Sequence, residues 1–169
     1  MRELHVDDRG HARMIDVGEK PVQRRTATAR ADIAMGDNAM QALARGALAK
    51  GDALAVARIA AIQAAKRTAD LIPLCHPLAL DHASADVVLD VPARRATVTV
   101  TVRMDGRTGV EMEALTAASV GALAIYDMIK GIEGPAPRIV DVVLLEKTVD
   151  GERRDRGVVD QRAARHEGA

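Results

Sequence analysis

The sequence predicts an α+β domain in which a four-stranded antiparallel sheet carries helices on one face, in the order β-α-α-β-β-α-β. Three observations lead there. Residues 95–104 (RATVTVTVRM) alternate Thr97, Thr99 and Thr101 with Val98, Val100 and Val102, a period of two that only a strand turns into two faces. Two Ala- and Leu-rich runs, after Asp52 and from Glu113, are too long for strands and read as helices. The strands fall as one, then a hairpin pair, then one, with helices between, which is the split βαβ pattern.

Each element has its own signal. In residues 22–34, Val22, Arg24, Thr26 and Thr28 alternate with Gln23, Arg25, Ala27 and Ala29, and Thr and Val favour strands. Asp37 or Asn38 caps a short helix that Gly46 ends. Asp52 caps a second helix, ALAVARIAAIQAAKRTADLI. Its apolar stripe is Leu54, Ala57, Ile59, Ala61, Ile62, Ala65 and Ala69, with Lys66 and Arg67 near the end that favours cations and Pro73 as its stop. The apolar turn LIPLCHPLAL follows. Residues 83–91 and 95–104 form a hairpin through Pro92-Ala93-Arg94. A long helix spans about 113–131, ended by Gly131 and Gly134, and residues 138–147 (RIVDVVLLEK) make the fourth strand. The division expected is a flexible segment 1–15, one folded domain 16–147, and a charged, mobile tail 148–169.

Composition narrows the function. The chain has 169 residues, 24 basic against 24 acidic, and no net charge. Zero charge argues against broad electrostatic capture of nucleic acid or of an anionic membrane. With one Tyr and neither Phe nor Trp, the chain lacks platforms for stacking bases. Its one Cys allows no internal disulfide and no multi-thiolate metal site. The N-terminus mixes both charges without an apolar core and is not read as a signal peptide; no run approaches the roughly 20 apolar residues of a membrane span. A soluble cytoplasmic protein with reduced Cys75 is expected. The 32 Ala residues predict a closely packed core of small side chains. Each buries little area, so a partner chain is expected to cover more.

Four places set polar groups in apolar surroundings. Lys50 precedes the capped helix start at Asp52, either as an anion site or as a solvated Lys beside a cap. Leu74, Cys75 and His76 sit between Pro73 and Pro77; His76 is a candidate acid or base near neutral pH or a satisfied buried ring, and Cys75 alone reads first as a small core residue. Glu111, Met112 and Glu113 enter the long helix, and in an extended segment the two carboxyls would point the same way and perturb one another. Asp127 and Lys130 share a helix face, as a proton-transfer couple or as a plain ion pair. Glu113 and Asp127 also share a face but stand ~21 Å apart along the axis. One small molecule does not reach both from one chain, so a single site using both needs a neighbouring chain.

DLIPLCHPL at 70–78 and TGVEMEALTAASVGALAIYDMIK at 108–130, with MIDVGEKP at 14–21 and KGDALAVARIAAIQAAKRT at 50–68, closely resemble the cyclic pyranopterin monophosphate synthases, also called molybdenum cofactor biosynthesis protein C. The resemblance covers about residues 10–147. It implies a ferredoxin-like fold, assembled as a homohexamer of three dimers with active sites at the dimer interfaces. It implies an enzyme, a lyase, that rearranges a cyclised dihydroguanosine triphosphate to cyclic pyranopterin monophosphate and releases diphosphate. By matching motif, Asp127 and Lys130 resemble the acid–base couple. Lys50, Leu74, Cys75, His76, Glu111, Met112 and Glu113 resemble the substrate-contacting set. Lys50, Lys66, Lys130 and Lys147 are the candidate cations around the triphosphate. The sequence itself requires no cofactor, and Mg²⁺ can accompany the triphosphate. One departure stands out. The family usually follows the last-strand Lys with a Ser-Gly-Gly-Lys-Ser-Gly type loop, whereas Lys147 is followed here by Thr148-Val149-Asp150-Gly151-Glu152-Arg153. Two alternatives follow: a catalytically weakened paralogue that binds a pterin or nucleotide, and a structural homo-oligomer whose charges are interface ion pairs.

Overall fold

The structure is a computed structural model and describes residues 6–7 and 9–154. The expected loose segment 1–15 lies partly outside the described residues, and so does most of the expected tail. The elements are β1 (Gln23–Ala34), α1 (Asp37–Ala44), α2 (Ala53–Lys66), α3 (Thr68–Leu71), β2 (His82–Asp90), β3 (Arg95–Gly106), α4 (Glu111–Ile129), β4 (Arg138–Val149) and β5 (Glu152–Arg153). The strands form one antiparallel sheet in the order β2-β3-β1-β4-β5. Its first four strands carry the ferredoxin-like arrangement, with β1 and β3 central.

The two faces of the sheet follow from the period of two. Val98, Val100 and Val102 are fully buried under the helices, beside Ala27, Ala29 and Ala31 of β1. Thr97, Thr99 and Thr101 face the other way, and Thr97 and Thr101 find polar partners there. Thr97 Oγ1 donates to the buried Asp32 at 2.6 Å, and the Thr101 and Thr28 hydroxyls lie 2.9 Å apart. Arg30 and Arg95 hold the Asp32 carboxylate at 3.7 and 3.6 Å.

α2 and α4 cover the inner face. The Asp52 carboxylate accepts from the backbone N–H of Leu54 and of Ala55, both at 2.9 Å, and so starts α2. The buried stripe of α2 is Ala53, Ala57, Ala61, Ala64 and Ala65. Ile59, expected in that stripe, is 60% exposed, because two residues past Ala57 a helix has turned by about 200°. A Cβ on Gly121 of α4 would stand 2.8 Å from Val98 Cγ1 and 3.3 Å from Ala61 Cβ. Small residues are what let α4 lie this close to both α2 and the sheet.

Four expectations are corrected. The second helix breaks at Arg67 rather than running to Pro73, and Thr68 restarts a short turn while its hydroxyl donates to the carbonyls of Ala64 and Ala65. α4 begins at Glu111, two residues early. By length and composition α4 does reach what a membrane span requires; its apolarity is accounted for by Ala114, Ala117, Ala118, Ala122, Ile125 and Ile129, all buried against the sheet and α2. Finally, a fifth strand exists. β4 continues through Thr148 and Val149, and Asp150 and Gly151, at φ of 51° and 85°, return the chain into β5. Positive φ at both turn residues is the geometry that Asp-Gly favours in a two-residue hairpin. The Asp150 carboxylate fastens this hairpin, accepting from the Arg24 backbone N–H at 2.8 Å and from Gln23 Nε2 at 2.9 Å.

Candidate active site

The polar groups singled out in the sequence gather at the two ends of α4. At the C-terminal end, Asp127 meets two ammonium groups. Lys130, one turn on, donates to Asp127 Oδ1 at 2.8 Å. Lys50 arrives from the loop before α2, where Gly51 at φ 95° turns the chain. Its Nζ donates to the Asp127 backbone carbonyl at 2.6 Å and to Oδ2 at 3.3 Å. All three side chains are about half exposed. The bonds from Lys130 and then Lys50 hold the Asp127 carboxyl below the usual carboxylate range, and the Asp127 contact raises the Lys130 ammonium. At neutral pH the cluster is a carboxylate between two cations.

The N-terminal end is drier. Glu111 is the first residue of α4, and its carboxylate pairs with the Lys147 ammonium, delivered by β4. Glu113 is 3% exposed. Burial pushes its carboxyl up, and the Glu111 charge adds to that. Cys75 is half-buried; burial raises its thiol, and the charge of nearby Glu113 raises it further. His76 Nε2 lies 2.9 Å from the Ile15 carbonyl oxygen. Leu74 is half-buried and Met112 is 38% exposed. A cavity of about 330 Å³ opens here, walled by Glu113, Lys66, Arg67, Thr68, Pro77 and Leu78 among others.

Three groupings thus form: Lys50 with Asp127 and Lys130, Glu111 with Lys147, and Cys75 with Glu113. The first stands ~21 Å along α4 from Glu113 and ~24 Å from Glu111, so one chain does not bring them to one point. The expectation that Glu111 and Glu113 point the same way fails because both lie in a helix, where two residues turn the side chain by about 200°. Arg67, in the cavity wall, was read only as a cation suited to a helix end. The Ile15 carbonyl had no side-chain signal at all. Among the described residues, no group of three or more His, Cys, Asp and Glu stands together to hold a metal ion.

Fold and site define an α+β protein with one helix-backed sheet and acid–base groups at two separated edges. The MoaC family profile matches residues 14–150, and the chain belongs to the MoaC family. Three similar proteins bear the name cyclic pyranopterin monophosphate synthase. The one from Roseiflexus sp. (strain RS-1) is 56% identical over 129 residues, 76% of this chain and 82% of its own. The one from Herpetosiphon aurantiacus is 49% identical over 151 residues, 89% of this chain and 91% of its own. The one from Mycobacterium bovis, named synthase 1, is 53% identical over 144 residues, 85% of this chain and 84% of its own.

Proposed function

We propose that this chain is a cyclic pyranopterin monophosphate synthase, a lyase of molybdenum cofactor biosynthesis. It converts a cyclised dihydroguanosine triphosphate to cyclic pyranopterin monophosphate and diphosphate. The observation that carries this reading is the Lys50–Asp127–Lys130 cluster, set within the stretch that matches the family.

The chemistry needs protons given and taken as an aminal opens and the ring rearranges. Asp127 and Lys130, bonded to one another, are the couple that takes and returns these protons. In the phosphate step a hydroxyl oxygen of the substrate bonds to the innermost phosphorus, the bond from that phosphorus to the diphosphate oxygen breaks, and the hydroxyl proton passes to a base. Charge builds on the departing diphosphate, and Lys50, Lys66 and Lys147 are the cations that answer it. Mg²⁺, if the triphosphate brings it, would offset charge on the phosphates. Leu74 and Met112 give the ring apolar neighbours, while Cys75, His76, Glu111 and Glu113 contact its edges. A nucleotide-derived substrate and a free thiol suit a cytoplasmic enzyme.

The separation of the two ends of α4 supports sites shared between subunits, in a homohexamer of three dimers. Each site takes the Asp127 end of one α4 and the Glu113 end of another. Mixing inactive Asp127→Ala and Glu113→Ala proteins under proven subunit exchange then restores roughly a quarter of the wild-type sites, as random pairing in a two-fold dimer gives. Absence of any recovery overturns the shared site.

The hairpin at Asp150-Gly151, in place of a glycine-rich loop, favours a second reading, a weakened paralogue that binds a pterin or nucleotide without turning it over. Diphosphate release from authentic substrate decides between them: release above background supports the synthase, and binding without release supports the paralogue.

A further inference from the structure

We propose that Met14–Pro21 is a strap that fixes the tautomer of His76, so that the ring meets its ligand through Nδ1. The word ligand rests on the synthase reading; the strap and the tautomer do not.

The starting point is one bond. His76 Nε2 lies 2.9 Å from the Ile15 carbonyl oxygen. A carbonyl oxygen only accepts, so Nε2 carries a hydrogen in every charge state of the ring. In the neutral ring the other nitrogen, Nδ1, therefore keeps the lone pair. Pro73 and Pro77 restrict the backbone of the turn, but neither decides which ring nitrogen points where. Rotation about χ2 of a histidine is broad, and exchanging the two nitrogens costs the turn nothing. The Ile15 carbonyl is the group that breaks the tie.

The strap is itself secured. Asp16 Oδ1 accepts from the Gly18 N–H at 2.8 Å, and the Lys20 N–H donates to the Val17 carbonyl at 3.1 Å. Arg107 Nε donates to the Lys20 carbonyl at 3.0 Å. Arg107 lies four residues before the start of α4. One end of the strap thus ties to His76 and the other to the approach to Glu111 and Glu113. Ile15 and Lys20 act here through backbone oxygens, so the strap is a positioning element. It also explains why an exposed, irregular stretch holds a defined path beside the cavity end of α4.

The test reads the tautomer directly. Long-range ¹H–¹⁵N correlation spectra of the full chain, at a pH where the ring is neutral, report which nitrogen of each histidine is protonated. The His76 signals are assigned by their loss in His76→Gln. The Nε2–H form is expected at His76; the Nδ1–H form, or an even mixture, overturns the proposal. A chain beginning at Val17 behind an initiating Met is expected to give a mixture. With authentic substrate it is expected to lose turnover about tenfold or more through misplacement of the ring, with its melting temperature little changed. Unchanged tautomer or unchanged turnover in the shortened chain overturns the strap. If the shortened chain does not fold, the double variant Asp16→Ala/Arg107→Ala, which releases the turn beside Ile15 and the tie at Lys20 together, is measured in the same two ways against the same outcomes. A full chain that shows the strap-dependent Nε2–H form and releases no diphosphate keeps the strap and removes the synthase reading.

Discussion

The two ends of α4 treat ionisable groups in opposite ways. At the C-terminal end, Asp127 is in water and stays charged because two ammonium groups hold it. At the N-terminal end, Glu113 is out of water and burial pushes it toward the neutral form. An exposed ion pair contributes little to folding, so stability does not account for Asp127 and Lys130 at the end of an apolar helix. A buried carboxyl beside a cavity is costly in its charged form. One end is a charged couple awaiting something that excludes water; the other is a dry wall already built. The proposed shared site would draw on this contrast, taking the charged couple from one chain and the buried carboxyl from another.

The sharpest way to break this comparison is to remove the acid at the exposed end. Lys130→Ala is expected to lower diphosphate release by about 10²–10⁴-fold, the usual contribution of a positioned acid or base, with circular dichroism and melting unchanged. Near-normal turnover would sink the assignment of roles. Loss of folding instead would mean that the pair is structural after all.

Next comes the rod that holds the ends apart. Gly121→Val places new atoms against Val98 Cγ1 and Ala61 Cβ, where even one Cβ is already too close at 2.8 and 3.3 Å. Val98 is β-branched and fully buried, so it cannot swing aside. A loss of about 2 kcal/mol in unfolding free energy is expected, as for other overpacked cores. Denaturant titration checks it. A neutral result would mean that α4 sits more loosely on the sheet than the close approach at Gly121 implies.

How much of this was readable beforehand depends on the range of the interaction. The Thr–Val alternation of 95–104 and the Asp52 cap are local patterns, and both strand face and helix start follow from them. The long strands and helices were legible for the same reason. The groupings at the ends of α4 were legible only in part. Asp127 and Lys130 are three apart on one helix, but Lys50 reaches them from 77 residues away and Lys147 reaches Glu111 from 36. No spacing rule foretells such meetings; the family resemblance marks these residues as site candidates but pairs none of them across the chain. The hairpin at Asp150-Gly151 is different. Its Asp-Gly signal is short-range and was present in the sequence, but the charge of the surrounding residues masked it as a tail. The divergence of Glu111 and Glu113 turned on whether α4 starts at residue 111 or 113, and helix ends are the least certain part of any local pattern.

The buried end gives a smaller, signed effect. The Glu113 carboxyl is raised in the folded protein, so the folded state binds more protons than the unfolded one once the unfolded carboxyl begins to ionise. Stability then falls as pH rises from the ordinary carboxylate range through the folded titration, with a slope of at most about 1.4 kcal/mol per pH unit. Glu113→Gln removes that slope. The variant is expected to gain stability relative to wild type as pH rises from 4 to 7, as read by denaturant midpoints across that range. Parallel stability curves for the two proteins would mean that Glu113 stays charged in the fold, and the contrast between the ends would collapse.

The exposed end has a matching test with the smallest expected signal. Asp127 is lowered first by Lys130 and second by Lys50. Lys50→Ala removes one of the two donors and leaves the other, so the Asp127 titration is expected to move up toward the ordinary carboxylate range without reaching it. Carboxyl chemical shifts followed with pH read this directly, and Lys50→Arg, which keeps the cation, is expected to restore most of the lowering. The wild-type position is expected to move upward with added salt, because exposed charges are screened, whereas the Glu113 titration, set mainly by burial, is expected to hold still. If both carboxyls respond alike to salt, the distinction between a charged couple in water and a neutral wall out of it does not survive.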